Sequence, residues 1–520
     1  MHVTTKKIFF TIKPHEASGE ELEKILLPGW QLIPFSSTKD RLDFYDTFEW
    51  NAFEKEIVIV NKQTGLSLID LNTGHESASV KFGRNPSFFF PDELPQGKLK
   101  EILSSYTSIR AFIRLCSIDA LIQSYHILDD NKKTIAVLTS TLLSFADNTK
   151  HAPFASLFSL VPLRGYHEEI AKMALHESLE SALDFKELFL LIMTAAGQNV
   201  QGYSSKINLA LDPDSPIHDS TQKLLRFTLS ILNQNEYGIK KNIDSEFLHD
   251  YRVAVRRTRS ILKQLKGVYD PEETAYFLNA FKELGKQTNE LRDRDVYLLK
   301  QGTYFQYLPA FLQPALKLFF SDIEASRRTL QKQFCRYLAS NTYLSFLEKW
   351  YEFVNRKTVP DPELAPNASL PTITVGVETI KKAWKKVIRH GRQISSATTD
   401  AELHALRIDC KKLRYLLEFF ASIFPHKTIT PVIRQMKELQ ENLGDFVDFS
   451  VQLQFLHIRL TTMTVKEEER LFPAAMGGLM ATLFQKQEDA RRKFHKTFRS
   501  FDNDETAQLF HDLLKHTSVK

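Results

Sequence analysis

One motif occurs twice in this chain, 155 residues apart. His249-Asp-Tyr-Arg252-Val-Ala-Val-Arg256-Arg257-Thr-Arg259 returns as His404-Ala-Leu-Arg407-Ile-Asp-Cys-Lys411-Lys412-Leu-Arg414. Each copy is a histidine followed by basic residues three, seven, eight and ten positions on. The flanks agree too. Asp244-Ser-Glu246 precedes the first copy and Asp400-Ala-Glu402 the second. Downstream, Phe281-Lys282-Glu283-Leu284 matches Met436-Lys437-Glu438-Leu439, and Arg292-Asp293-Arg294-Asp295-Val296 faces the weaker Asp445-Phe-Val-Asp448. Such a duplication predicts two copies of one helical unit related by a pseudo-twofold.

The spacing carries a physical meaning. At about 100° per residue, offsets of 0, 3, 7 and 10 fall within roughly an 80° arc of a helix. His249, Arg252, Arg256 and Arg259 form one stripe, extended by Lys263; His404, Arg407, Lys411 and Arg414 form the other. Val253, Val255, Ile261 and Leu262, and then Leu406, Ile408, Leu413 and Leu416, are left to face a core. Stacked like charges repel by roughly 0.2–0.5 kcal/mol per pair. A stripe with no interleaved carboxylate therefore suits an anion, Arg offering phosphate a planar fork and Lys a mobile point charge. The plainer reading is a solvated face, neutralised by Asp293, Asp295 and Asp448 from neighbouring helices. Duplication weighs against it, because two like stripes brought together double the local field. A third basic run, Lys381-Lys382, Lys385-Lys386, Arg389 and Arg392, precedes the second stripe and reads as more of the same surface.

Charge is divided unevenly. The 520 residues include 68 Lys and Arg against 63 Asp and Glu, a net +5. Residues 1–215 hold 21 basic and 27 acidic residues; residues 216–520 hold 47 and 36. A basic half joined to an acidic half points to one domain that handles a polyanion. The halves also differ in pattern. Ile8–Ile12, Ile57–Val60 and Ile135–Leu138 read as antiparallel strands, with turns at Lys62–Gly65, Asn72–Gly74 and Asp129–Lys133 and a helical segment at Glu20–Leu27. Beyond Gly165 the chain reads as amphipathic helices. Pro360, Pro362, Pro366 and Pro371 mark a linker, residues 358–372, between repeats at about 217–355 and 373–515.

Other chemistries leave no trace. No apolar run approaches the ~20 residues that span a bilayer, and no signal-peptide core follows the N-terminus, so a cytoplasmic protein is expected. Cys116, Cys335 and Cys410 form no CxxC pair. There is no P-loop and no HExxH, and no metal or cofactor is expected. His-Asp occurs at His218, His249 and His511, but Ala405 replaces Asp250 in the repeat, which counts against a metal phosphohydrolase of the HD type. Nucleic acid is the rival polyanion. Only Tyr251 and Tyr415 adjoin the stripes, fewer aromatics than base stacking asks for. An acidic protein partner is a third reading.

The run Glu246–Ser260, followed by Arg292–Val296, resembles the CHAD family, the conserved-histidine α-helical domain. The second copy, from Leu403-His404 to Arg414-Tyr415 with Leu439-Gln440 and Leu443-Gly444, is similar to that family's second half. The resemblance covers about residues 217–510. It implies that residues 216–520 form an all-α CHAD domain of two pseudo-symmetric four-helix bundles around a basic surface that binds inorganic polyphosphate without catalysis. It leaves recruitment to polyphosphate granules open. The expected binding residues are His249, Arg252, Arg256, Arg257, Arg259 and Lys263, then His404, Arg407, Lys411, Lys412 and Arg414, with Lys381, Lys385 and Arg389 beside them.

Phe44-Tyr45-Asp46-Thr47, Leu163-Arg-Gly165-Tyr166 and Tyr203-Ser204-Ser205-Lys206 resemble the CYTH family, which implies an α+β domain with a β-barrel tunnel over residues 1–215. CYTH enzymes hydrolyse or cyclise triphosphates and need an N-terminal Glu-x-Glu-x-Lys and an inward Arg pair. Here Lys6-Lys7-Ile-Phe-Phe-Thr-Ile-Lys13 has no carboxylate and Ile57–Val60 no Arg; Lys81 and Arg114 are the remaining candidate tunnel cations. Without paired carboxylates nothing holds a divalent metal against a triphosphate. A degenerate, inactive CYTH-like domain is expected, with a CYTH-type triphosphate hydrolase as the alternative.

Overall fold

The β-branched and aromatic runs of the N-terminal half pair into one antiparallel sheet of nine strands among the described residues. These are β1 (Ile8–Ile12), β2 (Gln31–Asp46), β3 (Ile57–Lys62), β4 (Gly65–Asp70), β5 (Glu76–Val80), β6 (Phe88–Phe89), β7 (Phe112–Leu128), β8 (Thr134–Phe145) and β9 (Ala155–Pro162). Their order is β1-β9-β8-β7-β2-β3-β4-β5, with β6 on β7. The computed structural model describes residues 8–12, 30–83, 85–146, 153–168, 184–358, 360–395, 397–462 and 471–515. The helix expected at Glu20–Leu27, and Lys6, Lys7 and Lys13 of the first strand, lie outside them. The chain divides into two compact units, Met1–Ser204 and Ser205–Lys520.

In the first unit, three helices accompany the sheet: α1 (Asn51–Glu54), α2 (Lys98–Tyr106) and α3 (Phe185–Ala195). Strand side chains alternate between faces. Val58 and Val60 of β3 pack with Phe189, Ile192 and Met193 of α3. Ile59, between them, packs with Leu99 and Leu103 of α2. Both faces of the sheet are thus apolar at this strand. Full burial of a Val, Leu, Ile or Phe contributes about 1.5–3 kcal/mol. The turn between β3 and β4 requires Gly65: its φ is +130°, and a Cβ there would lie 2.2 Å from Val80 O.

The second unit holds twelve described helices: α4 (Ile217–Lys241), α5 (Ser245–Gln264), α6 (Pro271–Gln287), α7 (Asn289–Leu299), α8 (Gln301–Gln306), α9 (Gln313–Leu338), α10 (Asn341–Asn355), α11 (Thr372–Arg392), α12 (Asp400–Phe419), α13 (His426–Thr462), α14 (Leu471–Phe501) and α15 (Asp504–Lys515). The 155-residue period is structural. It carries the start of α4 onto that of α11, both ends of α5 onto those of α12, and the start of α6 onto that of α13. Reciprocal hydrogen bonds mark the junction. Ile217 N–H donates to Leu370 O and Thr372 N–H to Ser215 O, each at 2.8 Å, on either side of an antiparallel bridge between Pro216 and Pro371. Each bond is the other's image under the repeat, the pattern that a twofold axis through the bridge produces.

The proline-rich stretch is no free spacer. His218 N–H donates to Ala368 O (3.1 Å) and Asn367 N–H to Gly267 O (2.8 Å), which tie it to the first repeat. The flanking matches also need correction. Asp244 caps α5 by accepting from Glu246 N–H (2.9 Å), and its counterpart is Thr399, which caps α12, not Asp400. The counterpart of Asp448 is Asp293; Asp295 turns away and pairs with Arg327 (2.7 Å). Ile408 does not face the core but is 41% exposed, and its counterpart Val253 is half-buried. No described helix is long and apolar enough to cross a membrane.

Candidate functional site

α5 and α12 pack against each other across the repeat axis, and this brings the stripes together. His249, Arg252 and Arg256 from α5 and His404, Arg407 and Lys411 from α12 line one cleft of about 470 Å³. α7 adds Arg292, Asp293, Val296 and Tyr297, and α13 adds Val447, Asp448, Val451, Gln452 and Phe455. Most of the wall consists of residues paired by the repeat: His249 with His404, Arg252 with Arg407, Arg256 with Lys411, Asp293 with Asp448 and Val296 with Val451.

Five cations face two carboxylates here, and several cations are already engaged. Arg407 pairs with Asp448 (3.1 Å), and Arg292 with Glu246 (3.4 Å). Arg252 donates to Gly285 O (3.3 Å) and to Thr288 Oγ1. Burial, and then Arg256, push its guanidinium down to about 10. Arg256 and Lys411 differ. Neither makes a hydrogen bond or ion pair among the described residues, and Arg256 Nε is buried without an acceptor. Burial pushes the Lys411 ammonium down to about 7, helped by Arg407 on its own helix and by Arg256 from the other repeat. His404 is shifted down by burial, then by Arg407 and Lys411. Burial raises the Asp293 carboxyl. At about 1.4 kcal/mol for each tenfold change in a protonation equilibrium, the Lys411 charge is held at a cost of a few kcal/mol.

The other expected residues are placed elsewhere. Eight positions from each histidine, Arg257 and Lys412 lie off the stripe. Arg257 donates to Ser205 O and pairs with Glu418 (3.5 Å), which also takes Arg414 (3.0 Å). Arg259 is half-buried, its guanidinium beside Gly285. Lys263 follows the stripe's angle but sits seven residues past Arg256, about 10 Å along the axis at 1.5 Å per residue. It lines a second cleft together with Lys412. Lys385 and Arg389 line a third, beside Trp384 and Phe501, and Lys381 is exposed. Arg292, Tyr297 and Phe455 were not expected in the site. The flanking Arg292–Val296 match held the signal for the first.

The aromatic residues beside the stripes are not available for stacking. Tyr251 is fully buried and its O–H pairs with the Tyr343 O–H (2.8 Å); Tyr415 is buried as well. Phe455 has Arg294 over its ring at 4.7 Å.

In the first unit, Arg114 lies 3.9 Å from the buried Asp43 and donates to Asn85 O (3.4 Å), while Lys81 is exposed. Asp46 serves the backbone, accepting from Thr47 N–H (2.7 Å), Ala52 N–H (2.9 Å) and Phe53 N–H (2.9 Å); burial still pushes its carboxyl up to about 7. Among the described residues no group of three or more His, Cys, Asp or Glu is placed to hold a metal ion.

Comparison with known proteins places these features. The chain is similar to the crystal structure of the CHAD domain from the plant Ricinus communis, at 21% identity and a TM-score of 0.47, over 59% of this chain and 96% of that one. It is also similar to PptA from Streptomyces chartreusis, at 15% identity and a TM-score of 0.44, over 55% and 100%. No curated protein matches it. The family model of the CHAD domain matches residues 223–457, from α4 into α13 and across both stripes, and the helical unit of this chain therefore carries a CHAD domain.

Proposed function

We propose that the helical unit binds inorganic polyphosphate, without catalysis, in the cleft between α5 and α12, and that its helices form two four-helix bundles. The observation that carries this reading is the pair Arg256 and Lys411. The repeat places them in one cleft, unpaired among the described residues, with the Lys411 charge disfavoured by burial and then by its neighbours. A chain of phosphates supplies what such a pair lacks: anionic oxygens at regular spacing and charge-assisted hydrogen bonds. Inorganic polyphosphate fits better than nucleic acid, because the adjacent tyrosines are buried in the core and offer bases no platform. An acidic protein partner is the remaining alternative.

The first unit we read as a degenerate CYTH-like domain. Apolar packing on both faces of β3 supports this, as does the use of Arg114 and Asp46 in local structure. The test has two arms. The full chain should bind long-chain polyphosphate more tightly than single-stranded DNA of matched charge at one salt concentration, with log affinity falling linearly in log salt. It should show no Mg²⁺- or Mn²⁺-dependent turnover of tripolyphosphate or ATP. Equal affinity for DNA, or measurable turnover, would overturn the corresponding part.

A further inference from the structure

The twofold pattern fails at one place. Beyond the first cleft, where α11 meets α12 and the end of α5, lies a second of about 500 Å³ that holds five lysines and no arginine: Lys263, Lys266, Lys382, Lys386 and Lys412. Two carboxylates answer them. Glu378 pairs with Lys382 (2.5 Å), and the buried Asp409 pairs with Lys386 (2.8 Å) and Lys412 (3.3 Å). Lys263 and Lys266 are exposed, with no carboxylate partner among the described residues.

Nothing like it exists on the symmetry-related face. The counterparts of the five lysines are Glu418, Ala421, Phe227, Ile231 and Arg257. That face is also closed. Arg257 donates to Ser205 O, and Leu211 N–H donates to Ser422 Oγ (3.1 Å), so the segment from Ser205 to Leu211 lies across it. The matching stretch of the proline-rich linker goes elsewhere: Pro360 and Leu364 line a separate pocket with Tyr269 and Phe353. One face of the α5–α12 crossing has been covered and neutralised. The other stays open and carries an excess of three positive charges. Ion pairing accounts for Lys382, Lys386 and Lys412, but fold stability does not explain Lys263 and Lys266, which add exposed like charge to the same cleft.

We propose that this lysine cleft is a second phosphate-binding site, engaged by the distal part of the same polyphosphate chain that occupies the first cleft. The proposal rests on the reading of the first cleft as a polyphosphate site. Lys411 lines one cleft and its neighbour Lys412 the other, so a chain leaving the first meets the second along α12. Mobile lysine ammonium groups suit a ligand that needs no fixed register. The consequence is discrimination by length. Tripolyphosphate fills only the first cleft, whereas a long chain gains the second contact at high effective concentration.

The test is the full-length double variant Lys266→Glu with Lys382→Glu, both at exposed positions. Affinity for long-chain polyphosphate should fall at least about tenfold, and the slope of log affinity against log salt should become shallower by at least about 1. Affinity for tripolyphosphate should change by less than a factor of three. Unchanged long-chain affinity, or equal losses for both lengths, overturns the second site and leaves the first standing. Failure of the unmutated protein to bind either probe overturns both.

Discussion

The two repeats of the helical unit share a backbone but not an interior. In the first, Glu236, Tyr251 and Tyr343 form a buried hydrogen-bonded chain, and Thr228 and Thr258 form another (2.8 Å). The residues 155 positions on are Gly391, Leu406 and Phe498, then Ala383 and Leu413. Where the first repeat sets Tyr343 against Glu236, the second sets the Phe498 ring against bare Gly391. The bounds of the two stripe helices and the cleft histidines have been kept, while these five core positions have gone from polar to apolar. A buried network and an apolar core of similar volume are interchangeable only when the whole set changes together, because a single leftover polar group costs about 1–3 kcal/mol. What the repeats hold in common is therefore concentrated at the cleft they share.

The largest effect is expected at the pair that unites them. Arg256→Ala and Lys411→Ala should each weaken binding of long-chain polyphosphate at least about tenfold, since a charge-assisted contact contributes roughly 1.5–3 kcal/mol. The double variant should lose more than either single variant but less than the product of the two losses. A titration of all four proteins closes the cycle. If both residues hold one run of phosphates, the losses will not add. Strict additivity would mean two separate half-sites, one per repeat.

Next come the cores. Gly391→Ala would place a Cβ 2.0 Å from the Phe498 ring, and overpacking of this kind costs about 1–3 kcal/mol. In the first repeat, Tyr251→Phe should cost about 1 kcal/mol by removing one buried hydrogen bond. Leu406→Tyr should be worse than Tyr251→Phe, because the second repeat offers its hydroxyl neither Tyr343 nor Glu236. Urea unfolding of each variant measures this. A Leu406→Tyr protein as stable as the unmutated one would show that the second core has spare polar capacity, contrary to the comparison.

These contrasts also mark what could be read from the chain alone. Strand positions at Ile8–Ile12, Ile57–Val60 and Ile135–Leu138 follow from short β-branched and aromatic runs bounded by turn residues, and both basic helices from their periodicity. Convergence of the stripes follows from duplication, because a twofold brings matched faces together. Register was harder. Residue type alone sets Asp244 against Asp400 and Asp295 against the Asp445–Asp448 run, whereas caps and clefts compare positions. Helical angle extends the first stripe to Lys263, and proximity sets Lys412 beside Lys411, but neither says which cleft a side chain enters. The lysine cleft itself draws on Lys266, Lys382 and Lys386, from segments that only packing unites.

Lys411 gives a smaller effect and a sharper test of how the repeats differ. Its counterpart Arg256 carries a guanidinium, by class a far weaker acid than an ammonium, whereas burial pushes the Lys411 ammonium down to about 7. Bound phosphates favour the charged form, so binding above that pH takes up a proton and affinity falls as pH rises. The groups around it do not reverse the sign. Asp448 favours the ammonium, Arg407, Arg256 and Arg414 oppose it, and His404 already lies below its usual range. Between pH 7 and 9 the decline should be at most about tenfold per pH unit. Lys411→Arg should flatten it, while Arg256→Lys should not. Calorimetry in buffers of different ionisation enthalpy would detect the proton directly; no uptake at pH 8 would mean that the ammonium is already charged in the free cleft.

The smallest effect is expected on α11. Lys385 and Arg389 have Ser230 and Gln234 as counterparts, so the first repeat carries no charge at these positions. They line the third cleft, with Trp384 and Phe501, apart from both the shared cleft and the lysine cleft. At physiological ionic strength screening acts over about 8 Å, so charge that does not touch the ligand contributes little. Lys385→Ala with Arg389→Ala should lower polyphosphate affinity less than about twofold at 150 mM salt, and more at 20 mM, where the Debye length exceeds about 10 Å. A tenfold loss at 150 mM would bring this face of α11 into direct contact with the phosphate chain. The binding surface would then run along the second repeat rather than across the axis between the two.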